Sequence, residues 1–273
     1  MLRLETPTGY WLITHPDHAR LAGAFAVRWG NDLFAKPQPR EEVLHAIHVH
    51  DDGWALRDAR PVITRAGKPS AFSHELVGKY SAFEEIDLAD YLAVRERAVS
   101  ELANTHPYAA ILVSMHSSNL LSTHADRSTI HPAQLHLLDA FLMDQSRIQH
   151  TLRNEVEADL NLTSEDVTDE NILNNFRLLQ ACDNLSLLSC VAYMQPATLL
   201  HPLSINDGAA TTIAVEPIAE RHFRLTPYPF DAPDLTFEVP ARHIEGHHFA
   251  TSDDLQQKFA AAKPQGLTIV VSP

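Results

Sequence analysis

No apolar run in this 273-residue chain is long enough to cross a bilayer. Its first residues, MLRLETPTGYWLITH, lack the basic start, apolar block and small-residue cleavage site of a signal peptide. Both absences point to a cytoplasmic protein. Basic charge is scarce: 21 Lys and Arg stand against 35 Asp and Glu, a formal charge of −14. Sequence-independent binding of a DNA or RNA polymer needs a basic face, so that class is excluded. A small phosphorylated substrate is not excluded, because a bound cation reverses the local field. Cysteine is nearly missing as well. Cys182 and Cys190 fall in one helical pattern, about 12 Å apart and too far to bridge. They read as small core residues in a reducing compartment. Internal repeats and low-complexity tracts are absent too.

What the chain has in excess is histidine, with 17 residues. Three of these and two aspartates crowd into HAIHVHDDGW, residues 45–54. Around this stretch the pattern is helical. DHARLAGAFAVRWG and PREEVLHAIHVHDD read as helices, the second with acidic residues in its first turn and Gly53 as its stop. Residues 55–85 read as loop with short helical pieces. IDLADYLAVRERAVSELANTH, HPAQLHLLDAFLMDQSRIQHTLRNEVEADL and DENILNNFRLLQACDNLSLLSCVAYMQ read as long helices, and YAAILVSMHSSNLL is ambiguous between strand and helix, with helix favoured by its neighbours. Beyond residue 200, TTIAVEP, HFRLTPY, LTFEVPA and LTIVVSP read as strands, with SDDLQQKFAAA as a helix among them. The expected fold is therefore mainly α, a helical body over residues 1–200 with a small C-terminal β-rich extension over 201–273 packed on the same domain. GYWLIT, residues 9–14, is expected to pair with the late strands.

Helix phase sorts the polar residues of HAIHVHDDGW. Val43, Leu44 and Ile47 define an apolar arc that His50 and Asp51 straddle; His45 and Asp52 fall opposite, and His48 lies on the flank. A buried carboxylate is costly unless paired or bound to a cation, so His50 and Asp51 together make half of a metal site. His18 shares a face with Leu21, Ala22, Phe25 and Trp29. Asp183 falls in phase with Phe176, Leu179, Leu187 and Cys190, while Arg177, Gln180 and Asn184 form the polar face of that helix. His116 follows the apolar AAILVSM and precedes two serines. His15, His74, His124, His131 and His136 have weaker cases.

A His, then an adjacent His-Asp ending in HDDG, then a distant Asp in LLQACDNLSLLSC, resembles the HD-domain metal-dependent phosphohydrolase superfamily. More closely, the sequence looks like an uncharacterised bacterial family of HD-like proteins. The resemblance covers residues 10–195 in order and implies an HD-domain, PDEase-like helical bundle. Its ligands would be His18, His50, Asp51 and Asp183, holding one or two divalent transition ions (Mn, Fe, Ni or Zn). The implied activity is hydrolysis of a small phosphate ester or nucleotide. The metal would activate water, with Asp51 or Asp183 accepting its proton and His116 as general acid or phosphate contact. His116 and His124 stand where some members hold a second metal. Trp54 stands where HD-GYP phosphodiesterases and HD-type di-iron oxygenases carry a Lys, and a GYP motif is missing. The other readings are an HD-type di-iron oxygenase and a degenerate HD-like protein that binds metal or ligand without turnover. Helical bundles of this size often form homodimers.

Overall fold

A computed structural model describes residues 1–78, 87–124 and 127–273. The end of the loop expected at 55–85 and the first residue of the helix expected at 86–106 fall outside the described residues. The chain opens with a hairpin of β1 (Leu2–Thr6) and β2 (Gly9–Ile13), Leu2 opposite Ile13. Helix α1 (His15–Arg28) follows at once, its N-terminus capped by the Thr14 hydroxyl, which accepts from the Asp17 amide. Helix α2 (Arg40–Val49) runs into a 3₁₀ turn at Asp52–Trp54 and a short α3 (Ala55–Asp58). Four longer helices complete the first part: α4 (Leu88–Ala103), α5 (Pro107–Asn119), α6 (Leu135–Ala158) and α7 (Asp169–Cys190). The ambiguous segment is thus helical. Every residue from Tyr108 to Ser114 is buried, so α5 shows no amphipathic stripe from which its period could be read.

Strands then dominate: β3 (Ala197–Thr198), β4 (Leu203–Ser204), β5 (Ala210–Thr211), β6 (Ala214–Ala219), β7 (His222–Thr226), β8 (Leu235–Glu245) and β9 (Pro264–Ser272), with α8 (Ser252–Ala261) before the last. β4 and β5 pair with each other. The other seven strands form one mixed sheet in the order β1-β2-β8-β9-β7-β6-β3, antiparallel except for β7 against β9. The pairing foreseen for GYWLIT is present: Tyr10 lies opposite Ile244 of β8.

The expectation of a mainly α, all-α bundle with a small β extension is overturned. Helix makes up 49% of the residues, and the seven-stranded sheet curls into a half-barrel, so the fold is α/β. The sheet is a layer of the core. Phe25 of α1 meets Phe237 of β8 edge-to-face, with ring centroids 4.7 Å apart. A single buried cluster joins Phe25, Ile47, Leu112 and Leu179 from the helices to Val215, Val239 and Ile269 from the strands. Leu2–Thr6 escaped notice because five residues carry little period, and β3, β4 and β5 are only two residues each. Among the described residues no helix is long and apolar enough to cross a membrane.

Two glycines set how closely the helices approach. A Cβ on Gly23 would lie 3.0 Å from the Cα, Cβ and Nδ1 of His48, so α1 and α2 pack with no side chain between them there. A Cβ on Gly53 would lie 2.3 Å from the Val94 carbonyl oxygen, a distance no side chain tolerates. The bare backbone of Gly53 lets α4 close on the turn after α2.

Candidate metal centre

Four elements deliver five titratable side chains to one buried place. α1 supplies His18, the end of α2 supplies His50 and Asp51, α5 supplies His116 and α7 supplies Asp183. His18 and His50 are fully buried, His116 is 1% exposed, and Asp51 and Asp183 are 4% and 5% exposed. His18 Nε2 lies 3.0 Å from Asp51 Oδ2, and His50 Nε2 lies 3.3 Å from Asp183 Oδ1 and 4.0 Å from Asp51 Oδ2. The His50 ring meets those of His18 and His116 edge-on, with centroids 5.3 and 5.1 Å apart. Two triads, His18–His50–Asp51 and His50–His116–Asp183, each place their ligand atoms within 4.8 Å of one another and share His50.

Hydrogen bonds fix which ring nitrogens are free. His50 Nδ1–H donates to the Ile47 carbonyl at 2.8 Å, leaving Nε2 buried with no hydrogen-bond partner. Ser186 Oγ–H donates to the Asp183 carbonyl at 2.8 Å, so its oxygen accepts from His18 Nδ1–H at 2.9 Å. A neutral His18 then turns the lone pair of Nε2 toward a carboxylate oxygen, and His50 would do the same once it gives up the proton that the carboxylates favour. Lone pairs facing lone pairs repel unless a proton or a cation lies between them. Imidazoles anchored through Nδ1 to a carbonyl or hydroxyl, with Nε2 converging on carboxylates, make the donor set of a divalent transition metal and its outer partners. His116 Nδ1 is paired with the Gln180 side-chain amide.

Burial opposes every charge here, and the charges hold one another. Burial works against protonating His50, yet the Asp51 and Asp183 carboxylates raise it to about 9. Asp51 and Asp183 are also penalised by burial, but Arg95 and His50 hold the first well below the usual carboxylate range and His50 lowers the second. For His116 burial prevails, pushing it down to about 3, so this ring is neutral at neutral pH.

All four residues expected as ligands, and His116, come together here. Asp52 faces away, in an ion pair with Arg20; His45 meets His106 at a tilt, with ring centroids 4.2 Å apart; and His48 is exposed. The phase argument assumed a helix through Asp52, whereas α2 stops at Val49 and His50 and Asp51 enter the site from the turn. The His124 side chain lies outside the described residues. Sequence reasoning missed Arg95, which is 6% exposed and donates from Nη1 to Asp51 Oδ1 at 2.5 Å. Its signal was available: Arg95 occupies the apolar stripe of α4 between Tyr91, Leu92 and Ala98, Val99. Gln180 was assigned to a polar face and is fully buried, because α7 is covered by α1 on one side and α5 on another.

No curated protein and no solved structure matches this chain. A family is nevertheless shown, since its match runs through the N-terminal hairpin, every residue of the centre and the whole of β8. Matched over residues 1–246, the chain belongs to the family described as "Protein of unknown function (DUF3891)".

Proposed function

We propose that the protein is a metal-dependent hydrolase of a small phosphate ester or nucleotide, related to the HD-domain phosphohydrolases. The observation that carries the reading is the orphaned Nε2 of fully buried His50, aimed among two carboxylates and two further imidazoles. His18, His50, Asp51 and Asp183 would hold the ion, with His116 as a further ligand. Bound there, a divalent Mn, Fe, Ni or Zn supplies Lewis acidity, making water nucleophilic near neutral pH and polarising a phosphoryl oxygen.

The protein's own groups divide the remaining work. Arg95 donates to Asp51 Oδ1, which fixes the position and charge of that carboxylate, while Oδ2 faces His18 Nε2. Asp183 is less constrained, and we assign it the proton that water loses as its oxygen bonds to phosphorus. The bond from phosphorus to the leaving oxygen breaks in the same displacement, and that oxygen leaves as an alcohol, taking up the proton that Asp183 received from water. His116, held neutral by burial, is better placed as a ligand than as the general acid. A small phosphorylated substrate and two free, buried thiols fit a cytoplasmic setting.

Elemental analysis of protein purified without added metal, aerobically and anaerobically, tests this. Stoichiometric Mn, Fe, Ni or Zn is expected, lost in His50→Ala together with turnover on a panel of phosphate esters. Protein that carries no metal under either condition would refute the reading.

A further inference from the structure

Beside the ligands lies a second set of unmet groups, and these are donors. Trp54 is 3% exposed, and its indole Nε1–H, which can only donate, has no acceptor. The ring is held from several sides. His15 stacks on it at 4.3 Å and 23°, and Tyr91 meets its edge at 5.5 Å. The Arg95 guanidinium lies over the same ring, Cζ 5.5 Å from its centroid. Arg95 Nε donates to the Tyr91 hydroxyl at 3.1 Å and Nη1 to Asp51, while Nη2 has no acceptor among the described residues. A guanidinium with one arm committed to a carboxylate and the other without a protein acceptor lies over the face of a ring whose buried N–H is unpaired. An oxyanion supplies the acceptors that both lack.

Charge and access agree with this. Two carboxylates, one guanidinium and a divalent ion leave the centre net positive, so it attracts anions. Asp51, Arg95 and Asp183 each keep a little exposed side chain, 6 to 8%, whereas His18 and His50 keep none. The accessible side of the centre is therefore the one that carries Asp51, Arg95 and Asp183.

We propose that Trp54 and Arg95 form the oxyanion-binding half of the centre, donating Nε1–H and Nη2–H to the non-bridging oxygens of a phosphate monoester dianion. The choice of phosphate rests on the hydrolase reading above; the need for an anion rests on the donors alone. Inorganic phosphate, titrated calorimetrically into metal-loaded and metal-free protein, is the test, with metal content measured on every sample. Wild-type protein binds phosphate. Trp54→Phe keeps a ring for His15 to stack on and removes only the N–H, so phosphate affinity falls about tenfold with metal content unchanged. Arg95→Lys keeps the charge but cannot span Asp51 and the anion together, and it weakens phosphate by a similar factor. If Trp54→Phe loses its metal, Arg95→Lys decides. Wild-type affinity in both variants, or no phosphate binding by wild-type protein in either form, overturns the proposal. Metal-free protein that binds phosphate and loses it in Trp54→Phe upholds the anion site even where the metal reading fails. A metal-replete protein indifferent to both substitutions retains the metal reading and rejects the anion site.

Discussion

Two histidine–aspartate clusters lie side by side in this fold, the rings of His15 and His18 only 5.9 Å apart, yet they are built on opposite terms. In the first, Asp58 is surrounded by donors that suit it. The Met1 amine donates to Oδ1 at 2.9 Å, the His15 amide to Oδ2 at 2.5 Å, and the His15 ring lies 3.0 Å from Oδ2. Neither Asp58 nor His15 leaves a buried polar atom unpaired. In the second, His50 Nε2, Gln180 Oε1 and Trp54 Nε1 are buried without partners. Both clusters pair histidine with a buried aspartate, Asp58 at 3% and Asp51 at 4% exposed, so that combination does not by itself identify a site. The difference lies in satisfaction: the first cluster is a closed lock tying β1 to α1 and α3, and the second keeps buried polar atoms that the protein does not itself pair.

Substitutions should separate the two clusters sharply. The largest effect is expected from His50→Ala, whose metal affinity should fall by more than the roughly 100-fold that outer partners cost; metal content and competition with a chelator measure it. Asp58→Ala should leave metal stoichiometry intact and destabilise the fold by about 1–3 kcal/mol, the cost of leaving the buried Met1 and His15 donors without their acceptor. Denaturant unfolding checks the second value, and metal loss in this variant would mean that the clusters act as one. Ser186→Ala is expected to weaken metal binding by about 10- to 100-fold, because His18 loses the group that orients it, with little change in melting temperature.

The smallest expected effect is a dependence on pH. Burial, then the neighbouring Met1 amine, lowers His15 from 6.5 to about 4. The unfolded chain therefore binds a proton that the folded chain refuses between those values. This contribution to stability is present above about pH 6.5 and is lost as pH falls toward 4. Urea midpoints across that window should slope less in His15→Asn than in wild-type protein. An identical slope would show that His15 is not the group responsible.

The sequence made the residues of the candidate centre more legible than the fold that brings them together. Helix phase marks His18, His50 and Asp183 because each interrupts an apolar stripe, and a stripe is a local property. Arg95 interrupts one just as clearly, but a basic residue with a long stem suggests a surface, and its partner Asp51 lies 44 positions upstream. Gln180 was misplaced because one helix's period cannot show that neighbours cover it from two sides. The sheet was underestimated for a related reason. Its order interleaves the first two strands with the last ones, so its extent depends on long-range pairing that short alternating segments do not encode. The pairing of GYWLIT with the late strands could be foreseen; the curl of the sheet could not.

The hydroxyl of Ser186 carries a wider consequence. One turn of α7 does two things at once: the Asp183 side chain enters the centre, while its main-chain carbonyl, through Ser186, decides which nitrogen of His18 is basic. A ligand's position and another ligand's tautomer thus depend on the same few backbone bonds. Opening that turn would release both together, so local fraying and loss of the ion become a single thermodynamic event. Amide hydrogen exchange around Asp183–Ser186 should then slow in step with added metal, making the helix itself a reporter of occupancy.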